Sequence, residues 1–256
     1  MTNKQEFDGR VALVTGGSRG IGRAICLRLA ASGAWVAINY STSADAANQT
    51  LALIRSAGGD GAVYQCNVAS YEEVDAMFSR IEQDHGPVDL LVANAGIASF
   101  KDDRDMSIEL WRQILSVNLD GTFHCVWRAK AGMLERNYGR VVCISSINGI
   151  APSTIRPDRL IAYGTSKSAV IGFARNCAVA FGPQMRVNCV APGLIATDMT
   201  SGMSNEMREQ IIAATPVRRV GEPADVAELT YFLLSDAASF ITGQTYLTSG
   251  GLVTLP

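Results

Sequence analysis

Tyr163 and Lys167 stand four residues apart in "AYGTSK", residues 162–167. On a helix that spacing puts a phenol and an ammonium group on one face, a turn apart. Alone, each is a poor acid–base group at neutral pH, since a free Tyr titrates near about 10 and a free Lys slightly higher. Bringing the phenol to about 7 needs roughly 4 kcal/mol of preference for phenolate. One cation about 4 Å away, at an effective dielectric near about 20, supplies a term of that order. An oxidised nicotinamide ring would add a second positive charge. Such a pair could exchange a proton near neutral pH without histidine, and the chain has only two histidines. Ser146, in "CISSING" (143–149), offers a hydroxyl that could hold a substrate carbonyl against Tyr163. Taken alone, a serine at a strand end reads better as a turn or cap residue.

A second constellation lies near the N-terminus, in "TGGSRGIGRA" (15–24). Gly16, Gly20 and Gly22 let the backbone turn tightly and approach a pyrophosphate, and the helix that follows points N–H groups and its positive end at the phosphates. Ser18, Arg19 and Ile21 complete the turn. The spacing is G-x-x-x-G-x-G, a departure from G-x-G-x-x-G. An NAD site usually places an acid about 20 residues further on, for the ribose 2′-OH. No acid occurs from Arg23 through Ala44; that stretch offers Asn39, Tyr40 and Ser41. Arg19 and these hydroxyls suit a 2′-phosphate, so the expected cofactor is NADP(H).

These residues need a frame. Seven β-rich runs, 10–15, 34–39, 61–66, 88–93, 139–144, 185–190 and 244–248, alternate with helix-length segments at 20–32, 44–57, 70–85, 107–136, 163–181 and 223–235. Most of the runs lack polar alternation, as in strands covered on both faces. The pattern predicts one domain: a Rossmann-type, doubly wound parallel sheet of about seven strands with helices on both faces. Ligands bind such sheets at the carboxyl ends of the strands, where both constellations fall. The formal net charge of -2 offers no basic excess for nucleic acid. No apolar run is long enough to span a bilayer, and the charged first ten residues show no leader. The six cysteines form no C-x-x-C pair, which predicts buried free thiols in a reducing cytoplasm and no metal site.

At this point the sequence resembles the short-chain dehydrogenase/reductases over nearly its full length. "TGGSRGIG" (15–22), "ANAG" (93–96), "NLDG" (118–121), "ISS" (144–146), "YGTSK" (163–167) and "APG" (191–193) match the family's motifs in order. The resemblance implies that Tyr163 is the general acid/base and that Lys167 binds the nicotinamide ribose and lowers the Tyr163 pKa. It implies that Ser146 orients the carbonyl and that Asn118 holds a water linking Lys167 to solvent. Asn94, Ala95 and Gly96 would pass beside the adenosine ribose. Asn67 and Val68 would lie by the adenine. Pro192, Gly193, Ile195 and Thr197 would meet the nicotinamide carboxamide.

Three departures stand out. Ala93 replaces the first asparagine of the N-N-A-G stretch, and Asn67 replaces a common aspartate. The Ser146-to-Tyr163 gap is 17 residues, against about 13 usual in the family. The surplus implies a loop within 149–162, where Arg156 and Arg159 could meet an acidic substrate or partner. Residues 194–216 are expected to form a mobile substrate lid. Helices 107–136 and 163–181 are expected, from the resemblance, to build a homotetramer. The overall look is nearest the 3-oxoacyl-acyl-carrier-protein reductases, which implies a carbonyl substrate carried on an acyl carrier protein. Against that subgroup, Arg136, Asn137 and Gln184 stand where more basic residues are expected. A sugar, polyol or cyclic ketone is the alternative substrate. A non-catalytic dinucleotide sensor is the remote one, since Asn118, Ser146, Tyr163 and Lys167 are all present.

Overall fold

The computed structural model describes residues 5–99, 106–152 and 160–254. Its strands are β1 (Val11–Val14), β2 (Trp35–Tyr40), β3 (Asp60–Gln65), β4 (Leu90–Ala93), β5 (Gly139–Ile144), β6 (Met185–Pro192) and β7 (Thr245–Thr248). They form one parallel sheet in the order β3-β2-β1-β4-β5-β6-β7. The order reverses between β1 and β4, and that switch point opens a crevice at the carboxyl ends of the strands.

The missing polar alternation has a direct cause. Leu13, Leu91, Val141 and Val187 enter one buried cluster, on the side of α3 (Tyr71–His85), α5 (Gly121–Glu135) and α6 (Ile161–Phe181). Their neighbours Ala12, Val14, Val92, Val142 and Val190 enter the other, against α1 (Gly20–Ala30), α2 (Ala44–Ser56) and α8 (Pro223–Leu234). Alternate side chains therefore leave the sheet toward two cores, and both must be apolar. All six cysteines are free and buried.

The expected helix 107–136 is not one regular helix. It consists of α4 (Ile108–Leu115), a π turn (Ser116–Asp120) and α5. Nothing in "SVNLD" breaks a helix; the π turn instead puts Asn118 at its centre, as wide turns commonly do near functional sites. Helix α7 (Asn205–Ala214) lies within the expected lid, outside the helix-length segments read from the sequence. The Ser204 side chain accepts from Met207 N at 3.3 Å and caps it. Helix α6 starts at Ile161, so Tyr163 and Lys167 occupy its first two turns. Arg156 and Arg159 lie outside the described residues.

Candidate active site

The glycine turn joins β1 to α1. Gly16 and Gly20 hold φ of +63° and +54°, a region that favours glycine. A Cβ on Gly22 would sit 2.1 Å from the Gly16 carbonyl oxygen, so the turn closes only with hydrogen there. Behind the turn, Asn94 Nδ2 donates to the carbonyls of Thr15 (2.8 Å) and Gly16 (3.2 Å). The Thr15 hydroxyl oxygen accepts from Asn94 N (2.9 Å) and Ala95 N (3.0 Å). Asn39 Oδ1 accepts from Gly16 N at 3.2 Å, while its amide nitrogen binds the carbonyls of Tyr64 and Cys66. Asn39 and Asn94 thus brace the turn with their side chains. The N-terminus of α1 has no side-chain cap and no acid in its first turn. Open N–H groups at a helix N-terminus beside a glycine cradle fit a dinucleotide pyrophosphate.

The other constellation gathers beyond β5. Ser146 is buried where β5 ends, and its side chain hydrogen-bonds Tyr163. Lys167 Nζ donates to the Ile144 carbonyl at 2.8 Å, and the Ser145 hydroxyl donates to the Lys167 carbonyl at 2.8 Å. A Cβ on Gly96 would lie 3.3 Å from both Lys167 Nζ and Asn118 Oδ1, so this glycine leaves the ammonium its room.

Within the protein alone, burial governs the titration of both members of the pair. Burial pushes the Tyr163 phenol above its ordinary value, and the Ser146 hydrogen bond only partly offsets that. Lys167 Nζ stands 5.7 Å from the Tyr163 ring centroid, with one of its three protons donated to the Ile144 carbonyl. Burial also pulls Lys167 down to about 8. Desolvation therefore sets the direction for the phenol, opposed by the Ser146 hydrogen bond and not by Lys167.

Asn118 is wholly buried and does not line the cleft. Its Oδ1 accepts from Ile97 N (2.8 Å), and its Nδ2 donates to Ile97 O (3.0 Å) and to Ser166 Oγ (3.0 Å). Ser166 passes the link on by donating to the Tyr163 carbonyl at 2.7 Å. Sequence reasoning missed Thr15, Ser145 and Ser166. Each is a hydroxyl inside a motif already noticed, and its role depends on partners distant in sequence.

One cleft of about 1380 Å³ runs between the two constellations. Gly16, Ser18, Arg19, Gly20, Ile21, Gly22, Asn39, Tyr40 and Ser41 line it, with Asn67, Val68, Asn94, Ala95 and Gly96. Ser146, Tyr163, Lys167, Pro192, Gly193, Ile195 and Thr197 line it too. Every predicted site residue except Asn118 thus lines this one cleft. Met199, Met203, Met207 and Ile211 line it from residues 199–211, as do Leu252 and Val253. Among the described residues no cluster suits a metal ion, and no helix is long and apolar enough to cross a membrane.

Fold and site together define a Rossmann-type α/β protein with a serine–tyrosine–lysine centre. Residues 16–253 match the family model described as enoyl-(acyl carrier protein) reductase. The 3-oxoacyl-acyl-carrier-protein reductase of Staphylococcus aureus is 38% identical over 242 residues, covering 94% of this chain and 97% of that protein. The acetoacetyl-CoA reductase of Shinella zoogloeoides is 39% identical over 244 residues, covering 94% and 98%. Among solved structures, the 3-oxoacyl-acyl-carrier-protein reductase of Brucella melitensis superposes with a TM-score of 0.90 at 35% identity, over 98% of this chain and 93% of that one. A 7α-hydroxysteroid dehydrogenase, complexed with NADH and 7-oxo glycochenodeoxycholic acid, gives 0.91 at 32% identity, over 98% and 97%. The chain belongs to the short-chain dehydrogenase/reductase family, a family of oxidoreductases.

Proposed function

We propose that this protein is an NADP(H)-dependent reductase that converts a carbonyl to a secondary alcohol, with a 3-oxoacyl thioester as substrate. One observation carries the reading: Ser146, Tyr163 and Lys167 meet at one end of a cleft whose other end is an uncapped helix N-terminus behind a glycine turn. When bound, the reduced dinucleotide supplies the hydride that the carbonyl carbon accepts. The Ser146 hydroxyl orients the carbonyl oxygen beside Tyr163, and Tyr163 Oη delivers the proton to that oxygen. Lys167, held by the Ile144 carbonyl, presents its ammonium to the nicotinamide ribose and favours the phenolate left after proton transfer. Asn118 acts through Ser166 as a positioning residue for the first turn of α6.

The names of the relatives and the apolar, methionine-rich wall support an acyl chain. Arg19, with Tyr40 and Ser41 at the same wall and no acid in that stretch, supports the 2′-phosphate. The exposed aromatic face of α5, with Phe123 stacked on Trp127, supports the homotetramer. We read the chain as one cytoplasmic domain whose 194–216 segment is the substrate lid.

A second reading, a sugar, polyol or cyclic ketone as substrate, rests on Arg136. Its guanidinium donates to the Val88 carbonyl at 3.0 Å and pairs with Asp89 at 3.6 Å, at the amino end of β4. It is therefore committed away from an acidic carrier. The test is NADPH oxidation against 3-oxoacyl thioesters of acyl carrier protein and of coenzyme A, and against a panel of cyclic and sugar ketones, all repeated with NADH. Turnover of the thioesters alone supports the first reading. Turnover of the ketones alone selects the second. A preference for NADH overturns the cofactor assignment.

A further inference from the structure

The cleft carries its charges sparingly. Among the described residues that line it, Arg19 and Lys167 are the only cations and Asp198 is the only carboxylate. Lys167 is buried at the catalytic end, which leaves Arg19 alone at the phosphate end. Arg19 Nη1 lies 3.5 Å from Asp198 Oδ2, and both side chains are more than half exposed. The pair bridges two walls. Arg19 belongs to the glycine turn, and Asp198 opens the short 3-10 turn Asp198–Thr200 at the start of the lid segment. That turn is held firmly: Thr200 Oγ1 donates to the Ile195 carbonyl at 2.8 Å, and Thr197 N donates to Thr200 Oγ1 at 3.2 Å. It also presses on the phosphate-binding turn, since Thr197 Cγ2 would lie 3.2 Å from a Cβ on Gly20.

We infer that Asp198 is a specificity-determining residue for the dinucleotide, because its carboxylate competes with a ribose 2′-phosphate for Arg19, the one guanidinium that the described residues place in the cleft. This inference rests on the NADP(H) reading above. Donors that Arg19 turns toward Asp198 are not free for a bidentate grip on the phosphate, and a carboxylate near a phosphate repels it. Both effects act in the same direction: Asp198 weakens binding of the phosphorylated dinucleotide and leaves the unphosphorylated one nearly untouched. Exchange of Arg19 from Asp198 to the phosphate also releases one tie between lid and turn.

The test is titration of the unaltered protein and of Asp198→Asn with NADPH and NADH, and with 2′,5′-ADP and 5′-AMP as probes of the adenosine half. An exposed ion pair is worth little, so Asp198→Asn should tighten NADPH and 2′,5′-ADP about two- to fivefold, with NADH and 5′-AMP changed by less. The gain should shrink as salt rises. In Arg19→Ala, adding Asp198→Asn should produce no further selective gain. Equal effects on the phosphorylated and unphosphorylated ligands, no effect on either, or a gain that survives in Arg19→Ala would each overturn the inference while leaving the cofactor reading intact. A wild-type protein that binds NADH as tightly as NADPH would sink the cofactor reading, and the inference with it. Asp198→Ser, which keeps a polar side chain on the exposed turn, should repeat the Asp198→Asn result.

Discussion

The two ends of the cleft are built from different materials. The phosphate end is mostly main chain: three glycines, an uncapped helix N-terminus, and side chains such as Asn39 and Asn94 that point backward to brace it. The catalytic end is side chain: a serine, a tyrosine and a lysine, each tied by a hydrogen bond to the protein around it. A helix on the opposite face of the sheet shows what the phosphate end forgoes. Helix α3 is capped by Ser70, whose side chain accepts from Glu73 N, and carries Glu72 and Glu73 in its first turn. Helix α1 has neither device. On the function proposed above, one end recognises by shape and open N–H groups, and the other acts by chemistry. Damage to each end should therefore register in a different measurement.

Tyr163→Phe should show the largest effect. Turnover should fall by about 100- to 10,000-fold, the usual worth of a general acid, while NADPH affinity by fluorescence titration stays within about twofold. Turnover that survives would remove Tyr163 from the mechanism. Gly22→Ala attacks the other end. Its methyl group would meet the Gly16 carbonyl at 2.1 Å, so the turn must shift. NADPH binding should be lost, and the protein should be destabilised by about 1–3 kcal/mol in denaturant melts.

The pH profile sharpens the comparison further. Lys167 titrates at about 8, and the phenol, pushed upward by burial, stays protonated there. For carbonyl reduction kcat/KM should be flat below pH 8 and fall above it as the ammonium is lost. The sign for stability is opposite. Lys167 has a lowered folded-state pKa, so the unfolded chain binds more protons between about 8 and the ordinary lysine value of 10.5. Its contribution to stability should rise with pH across that window and vanish in Lys167→Met. Ser166→Ala should leave Asn118 Nδ2 short of a buried partner and cost about 1–3 kcal/mol. It should lower kcat more than it raises KM. The smallest effect is expected from Ser70→Ala, which uncaps α3 at a cost of about 1 kcal/mol, with kcat/KM unchanged.

Much of the frame was legible in the sequence because strands buried on both faces announce themselves as continuous apolar runs; the span "GRVVCI" became β5 residue for residue. The glycine turn and the Tyr163–Lys167 spacing were legible because each answers to a local geometric demand. What escaped depended on contacts distant in sequence. The π turn at Asn118 changes only which carbonyl each N–H meets, so its residues look like ordinary helix. Helix α7 buries no residue and so carries no strong apolar stripe to betray it. The direction of the Tyr163 shift turns on how much water the fold excludes, which a spacing of four does not encode.

The six free cysteines are all buried, and burial pushes the thiols of Cys26, Cys66 and Cys125 up. A chromogenic disulfide reagent added at pH 8 should therefore find almost nothing to react with while the chain holds its native form. In denaturant, colour should appear only as fast as whole molecules open. The cysteines thus give this protein a built-in chemical clock for its own unfolding, readable in a cuvette without attaching any label.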